Sequence, residues 1–267
     1  MRTPLIDRRD FLRGAGAGFA AALTPSAWAA TLAADAVFAT AFVRRDGSYG
    51  AGILSEAGKL LYAVDLPDRG HGMTFDPASR RAIVFPRKPG TLAVAFDHGG
   101  KGEPVTIAAP AGRHFYGHGV FSPDGALLYS IDTWARRVTV RDYDAASGAA
   151  GPRRVLLELD EGYPDGMCVD TDGYLWVAVW GLGRVHRYSP EGQLVRVVEV
   201  PAPHTSSVAF AGPALDVLVI TTASDELSAD ELARFPLSGR LFTLRPGVTG
   251  LPVPRWGGFT LEETDHA

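Results

Sequence analysis

Four short stretches of this chain carry residues able to bind a cation or move a proton, and they recur at a near-constant spacing. "RGHGMTFD" presents His71, "YGHGVFSPDG" presents His118, "YPDGMCVDTDG" presents Asp165, and "HTSSVAF" presents Ser206 and Ser207. His71 and His118 are 47 residues apart, His118 and Asp165 another 47, and Asp165 and Ser207 are 42 apart. Neutral imidazole and carboxylate are the side chains that ligate metals and exchange protons near neutral pH. Serine hydroxyls can hold a substrate. His114, in "GRHFYGHG", is a further candidate for holding substrate or for pinning its own loop. Asp165 also has a bland reading, in which it caps backbone N–H groups of Gly166, Met167 and Cys168. Agreement of phase across the units favours the chemical reading.

Something must bring these positions together. Short apolar runs alternate with Gly, Pro, Asp and Ser turns about every ten residues, which predicts an all-β fold. Each unit reads strand, turn, strand, turn, strand, loop, strand, as in "YLWVAVW", "RVHRYS" and "LVRVVEV". Four short strands repeating every 40 to 50 residues are the signature of a β-propeller blade. The count predicts about five four-stranded blades, irregular or incompletely closed. Residues 36–69 read as a shorter, three-stranded first blade, and "RWGGFTL" near the C-terminus is available to complete it. A pair of β-sandwiches is the alternative, but sandwiches do not call for the same polar residue at matched phase. In a propeller, the loop before each innermost strand points at one rim of the channel. His71, His118, Asp165 and Ser206 or Ser207 are therefore expected to converge there.

The chain has 267 residues. Residues 1–29 read as an export signal: Arg8-Arg9 followed by Phe11-Leu12, a short apolar stretch, and Ala27-Trp28-Ala29 as the cleavage site. That pattern resembles a twin-arginine signal. Its apolar stretch is shorter than the ~20 residues a membrane span needs, which weighs against an anchor. Residues 30–267 then form a single propeller domain, periplasmic or secreted, with no membrane association after signal removal. A net charge of −4 with mixed signs gives no nucleic-acid footprint. Cys168 is the only cysteine, so no intrachain disulfide is available, and its apolar surroundings predict a buried small hydrophobe. His98, His186 and His266 have no matched partners and read as surface residues. No G-x-S-x-G, HExxH, CxxC or P-loop pattern occurs.

From about Ser130 to Phe259 the chain resembles the SMP-30/gluconolactonase/LRE family. "YPDGMCVDTDGYLWVAVWGLGRVHRYSPEG" and "SSVAFAGPALDVLVITTASDELSADELARFPLSGRLFTLRPGVTGLP" carry the resemblance. It implies a propeller that holds one divalent cation in its channel and hydrolyses a sugar lactone or similar small ester. Asp165 is carried over as a metal ligand and catalytic carboxylate. His118 stands where the family has asparagine, this chain has no asparagine at all, and the family's N-terminal glutamate motif is missing. With His118 and His71 as co-ligands, the expected ion shifts from calcium toward zinc or manganese. Residues 36 to about 129 resemble a second family, exported twin-arginine proteins with the domain DUF1513, through "LPDRGHG", "VFPRKPGTLAVAFD" and "AGRHFYGHGVFSPDGALLY". The alternative function is accordingly a non-catalytic periplasmic propeller that binds or handles metal. Either way the expected partner is a small molecule, and the protein is expected to be a monomer.

Overall fold

The computed structural model of the protein describes residues 38–54, 60–76 and 79–252. The export signal, "RWGGFTL" and His266 lie outside the described residues. Five antiparallel strand groups follow one another along the chain. The first holds β1 (Phe38–Val43), β2 (Tyr49–Leu54) and β3 (Leu60–Leu66). The second holds β4 (Gly70–Phe75), β5 (Arg81–Pro86), β6 (Leu92–Asp97) and β7 (Val105–Ala108), paired in that order. The third holds β8 (Gly119–Phe121), β9 (Leu127–Asp132) and β10 (Arg137–Asp144), and β10 pairs with both β11 (Ala149–Ala150) and β12 (Arg154–Glu158). The fourth holds β13 (Tyr163–Val169), β14 (Leu175–Trp180), β15 (Arg184–Tyr188) and β16 (Leu194–Glu199). The fifth holds β17 (His204–Ala211), β18 (Val217–Ala223) and β19 (Leu241–Leu244), and one pair, Trp180 with His204, joins it to the fourth. The inner strands β1, β4, β8, β13 and β17 each contact the next. This is the arrangement of propeller blades around an axis.

Alternation within the strands makes the core. On β5, Ala82 and Val84 pack toward the first group with Ala51, Val64 and Leu66, while Ile83 and Phe85 pack toward the third with Phe121 and Leu128. On β14, Leu175, Val177 and Val179 face the third group, and Trp176 and Ala178 face the fifth. A strand buried on both faces must be apolar at nearly every position, which is why these runs look continuous. Each fully buried Val, Leu, Ile or Phe contributes about 1.5–3 kcal/mol, so the interfaces between blades hold the blades in register.

The fifth group departs from the expected four strands. It has three among the described residues, with a short helix α1 (Ala229–Arg234) between β18 and β19. Ser228 starts α1 with a capping box, accepting from the Glu231 N–H while the Glu231 carboxylate accepts from the Ser228 N–H. Among the described residues the first group is three-stranded, as expected. Among the described residues, no helix is long and apolar enough to cross a membrane.

Two histidines expected at the surface are buried. His98 is 4% exposed and His186 is 8% exposed, because the flanks of β6 and β15 are packed between neighbouring blades. Burial, reinforced by Arg80 beside His98 and Arg184 beside His186, holds both below the ordinary imidazole value. The folded state then prefers them neutral, while the unfolded chain takes up protons below about pH 6.5. Their contribution to stability is present above that pH and is lost as pH falls. Thermal unfolding is therefore expected at a lower temperature at pH 5.5 than at pH 7.5, and His186→Gln should flatten that slope. A Tm independent of pH across this range would contradict the assignment. Cys168, expected to be buried, is half-buried: it packs against the cluster around Trp176, and burial pushes its thiol up.

Candidate functional site

Three of the inner strands are irregular at the same place. Pairing of β4 with β5 slips between Gly70 and Gly72, at His71. Pairing of β13 with β14 slips between Pro164 and Met167, at Asp165 and Gly166. Pairing of β17 with β18 slips between Thr205 and Ser207, at Ser206. A bulge adds a residue to one strand, leaves it outside the ladder and re-aims its side chain. Three of the inner strands thus release a polar residue at matched phase. His118 sits one residue before β8, and its carbonyl accepts the Ile131 N–H at 3.2 Å.

The released side chains meet. His118 Nε2 lies 3.0 Å from Asp165 Oδ1, both side chains being partly buried. The His71 ring stands edge-on to His118, with centroids 5.1 Å apart and planes at 90°. Burial, then the neighbouring His118 and Arg87, hold His71 below the ordinary imidazole value. His71 is therefore a neutral ring packed beside an imidazole–carboxylate pair. Asp165 caps no backbone group among the described residues; its partner there is His118 Nε2.

Glycines permit this closeness. Gly117 has φ 91°, in the left-handed region, and a Cβ there would overlap the His71 ring. A Cβ on Gly166 would overlap the side chain and Cα of Ser207 on the adjacent inner strand. Gly166→Ala is expected to force β13 and β17 apart beside Asp165. Overpacking of this kind costs about 1–3 kcal/mol. A chemical-denaturation midpoint equal to that of the wild type would show that the strands can part freely.

The pair opens into a cleft of about 710 Å³ that reaches from the second blade to the fifth. Its walls come mostly from loops. Arg87 and Lys88 follow β5, Tyr116 precedes His118, and Thr133 and Trp134 belong to a 3-10 turn after β9. Tyr163 begins β13, Trp180 ends β14, and Glu226 follows β18 with φ 62°. The Trp134 and Tyr163 rings meet at 5.3 Å and 74°. Trp180 stacks on His204 at 4.1 Å. The Thr133 hydroxyl donates to the Pro164 carbonyl at 3.0 Å and ties the turn to the strand bearing Asp165.

Of the expected site residues, His71, His118, Asp165, Ser206 and Ser207 line this one cleft. Ser206 Oγ lies 2.8 Å from Thr221 Oγ1, a hydrogen bond between hydroxyls. His114 is a correction. It does not line the cleft; its Nδ1–H donates to the Pro89 carbonyl at 2.7 Å and pins the loop that carries Lys88. Sequence reasoning missed Arg87, Lys88, Tyr116, Trp134, Tyr163, Trp180 and Glu226. Tyr116 and Tyr163 do recur at blade phase, 47 residues apart and each two before His118 or Asp165, a signal that could have found them; the others repeat no residue type at that phase.

The residues do not fit a metal ion. Calcium takes about six to eight oxygen ligands, whereas the floor of this cleft is two imidazoles and one carboxylate. The His118 Nε2 that would ligate a softer ion is engaged with Asp165. Among the described residues no group of three or more His, Cys, Asp or Glu side chains is placed to hold a metal. His71, His118 and Asp165 gather as expected, but as a hydrogen-bonded pair with an edge-on neighbour.

Two family models match overlapping parts of the chain. A family model described as the SMP-30/gluconolactonase/LRE-like region matches residues 119–224, and a model of a protein of unknown function, DUF1513, matches residues 64–155. The chain is 39% identical over 142 residues to regucalcin of Xenopus laevis, covering 52% of this chain and 48% of that protein. It is 39% identical over 141 residues to 6-deoxy-6-sulfogluconolactonase of Pseudomonas putida, again covering 52% and 48%. The chain thus spans about half the length of the curated relatives it matches. Among solved structures, a calcium-binding protein, regucalcin, from Agrobacterium tumefaciens superposes with a TM-score of 0.64 at 27% identity, covering 80% of this chain and 77% of that one. A luciferin-regenerating enzyme superposes with the same TM-score at 24% identity, covering 82% and 80%, and bears on the fold alone.

Proposed function

We propose that the protein hydrolyses a sugar lactone or similar small ester, with His118 and Asp165 moving the proton of the attacking water. The observation that carries this reading is the 3.0 Å contact between His118 Nε2 and Asp165 Oδ1 on the floor of an aromatic-walled cleft. The relatives named for lactone hydrolysis support it.

A carboxylate accepts only, so Nε2–H donates to Asp165 and the Nδ1 atom carries the free lone pair. Water gives its proton to Nδ1 as its oxygen bonds the lactone carbonyl carbon. Asp165 stabilises the imidazolium that forms. When the tetrahedral intermediate collapses, the ring C–O bond breaks and His118 returns the proton to the departing alkoxide. The product is the open hydroxy acid. His71, kept neutral, packs beside the ring without adding a second positive charge. Trp134 and Tyr163 give flat surfaces against which a sugar ring can lie.

The likeness to a calcium-binding regucalcin supports a divalent cation in general. The residues of this cleft do not fit one, and no step above is routed through a metal. We place the mature protein outside the cytoplasm, exported by the twin-arginine signal of residues 1–29, with residues 30–267 as one propeller. Proton release on adding the γ-lactone of gluconic acid tests the activity. A protein that binds sugar lactones without opening them would instead be a binding propeller of the DUF1513 kind.

A further inference from the structure

The cleft carries two cations that the hydrolysis above does not use. Arg87 and Lys88 line its second-blade wall, both exposed. Among the described residues neither forms an ion pair with a carboxylate. Lys88 Nζ instead lies over two rings, 5.3 Å from the centroid of Trp134 and 5.7 Å from that of Tyr116. The loop behind them is fixed. The Arg87 N–H donates to the Arg69 carbonyl at 2.8 Å, His114 holds the Pro89 carbonyl at 2.7 Å, and the Phe115 N–H donates to the Gly90 carbonyl at 3.0 Å. The charge of Arg87 is felt inside the cleft, where it helps hold His71 neutral. Asp165 is committed to His118, and Glu226 belongs to the opposite, fifth-blade wall.

A fixed pair of cations facing a cleft, beside an aromatic surface and without carboxylate partners, is a receptor for negative charge. Arginine presents a planar fork that matches carboxylate, sulfonate or phosphate oxygens. Trp134, 61% exposed, leaves a flat apolar face next to it. We propose that the cleft selects a sugar ring bearing an anionic substituent, with Arg87 and Lys88 gripping the anion and Trp134 packing against the ring. This rests on the reading of the cleft as a substrate site and names the substrate class.

A binding test keeps this separate from catalysis. Methyl glucuronide and methyl glucoside differ only in a carboxylate against a hydroxymethyl group, and neither is a lactone. Calorimetric titration is expected to show the glucuronide binding about tenfold more tightly or better, as a charge-assisted hydrogen bond gives. Added salt should erode that preference. Arg87→Gln and Lys88→Gln should each reduce it, and the double substitution should abolish it with Tm unchanged. In turnover, the double substitution should raise KM for the γ-lactone of glucaric acid, which carries a free carboxylate, about tenfold more than it raises KM for that of gluconic acid. Equal affinity for the two glycosides, binding of neither, or a preference that survives the double substitution would overturn the proposal. Glucuronide binding without any lactone turnover would sustain it and overturn the proposed reaction. Turnover of both lactones with equal KM would do the reverse.

Discussion

Asp165→Asn is expected to slow lactone hydrolysis by about a hundredfold to ten-thousandfold, the range for loss of a positioned acid–base group. The substitution keeps size and shape. The amide can turn its NH₂ toward His118 Nε2, which must then be the accepting nitrogen. The ring is left with its proton on Nδ1, where the lone pair is needed, and no negative charge remains to stabilise the imidazolium. His118→Gln should cost as much, since the two act as one unit. Tm is expected to move little in either variant, because both side chains sit at the rim of the packed core and not within it. The effect should fall on kcat, since neither group is needed to hold the sugar ring. A loss confined to KM would make the pair a binding element.

The second large effect is structural. Asp170 is fully buried and gathers five donors. The N–H groups of Asp172 and Tyr174 reach Oδ1 at 3.0 Å each, Trp176 Nε1–H reaches Oδ2 at 2.9 Å, and Arg187 reaches Oδ2 through Nε at 2.8 Å and Nη2 at 2.7 Å. It ties the "DTDG" turn, the largest fully buried side chain and a cation to one atom pair. Asp170→Ala leaves Arg187 without its buried partner and the indole N–H with no acceptor. Removing one member of a buried pair costs about 3–5 kcal/mol, which for a chain of this size lowers Tm by roughly 10 °C or more. Asp170→Asn should cost less, because an amide oxygen can still accept from the indole. A loss below about 1 kcal/mol for Asp170→Ala would mean that Arg187 is satisfied by Asp172 alone.

The blade repeat and the converging residues were legible because a propeller writes them into the sequence at fixed phase. His71, His118, Asp165 and Ser206 recur with the strands that carry them, and a bulge or turn at each point re-aims them inward. What sits between the matched positions was not legible. Lys88, Trp134 and Glu226 come from three loops of different length and meet only once the blades are arranged around an axis. The metal expectation stands in its general form alone, a divalent cation supported by the likeness to a calcium-binding regucalcin; spacing brought two imidazoles and a carboxylate together but could not say that Nε2 of one would meet the carboxylate. His98 and His186 were misplaced for a related reason. Lack of a matched partner in other blades says nothing of exposure, for in blades packed on both faces there is no outward side, and His186 meets the Tyr188 hydroxyl at 2.8 Å. His114 marks the opposite case, a residue near the site in sequence whose hydrogen bond to Pro89 directs it elsewhere.

The measurement that bears most directly on the central claim is proton release from the γ-lactone of gluconic acid, followed at constant pH with wild-type protein and with Asp165→Asn. The wild type is expected to open the lactone with saturable kinetics, one proton per molecule opened. Asp165→Asn should sit at the uncatalysed baseline with an unchanged unfolding temperature. A wild type that does no better than buffer, or a variant that matches it, would contradict the account.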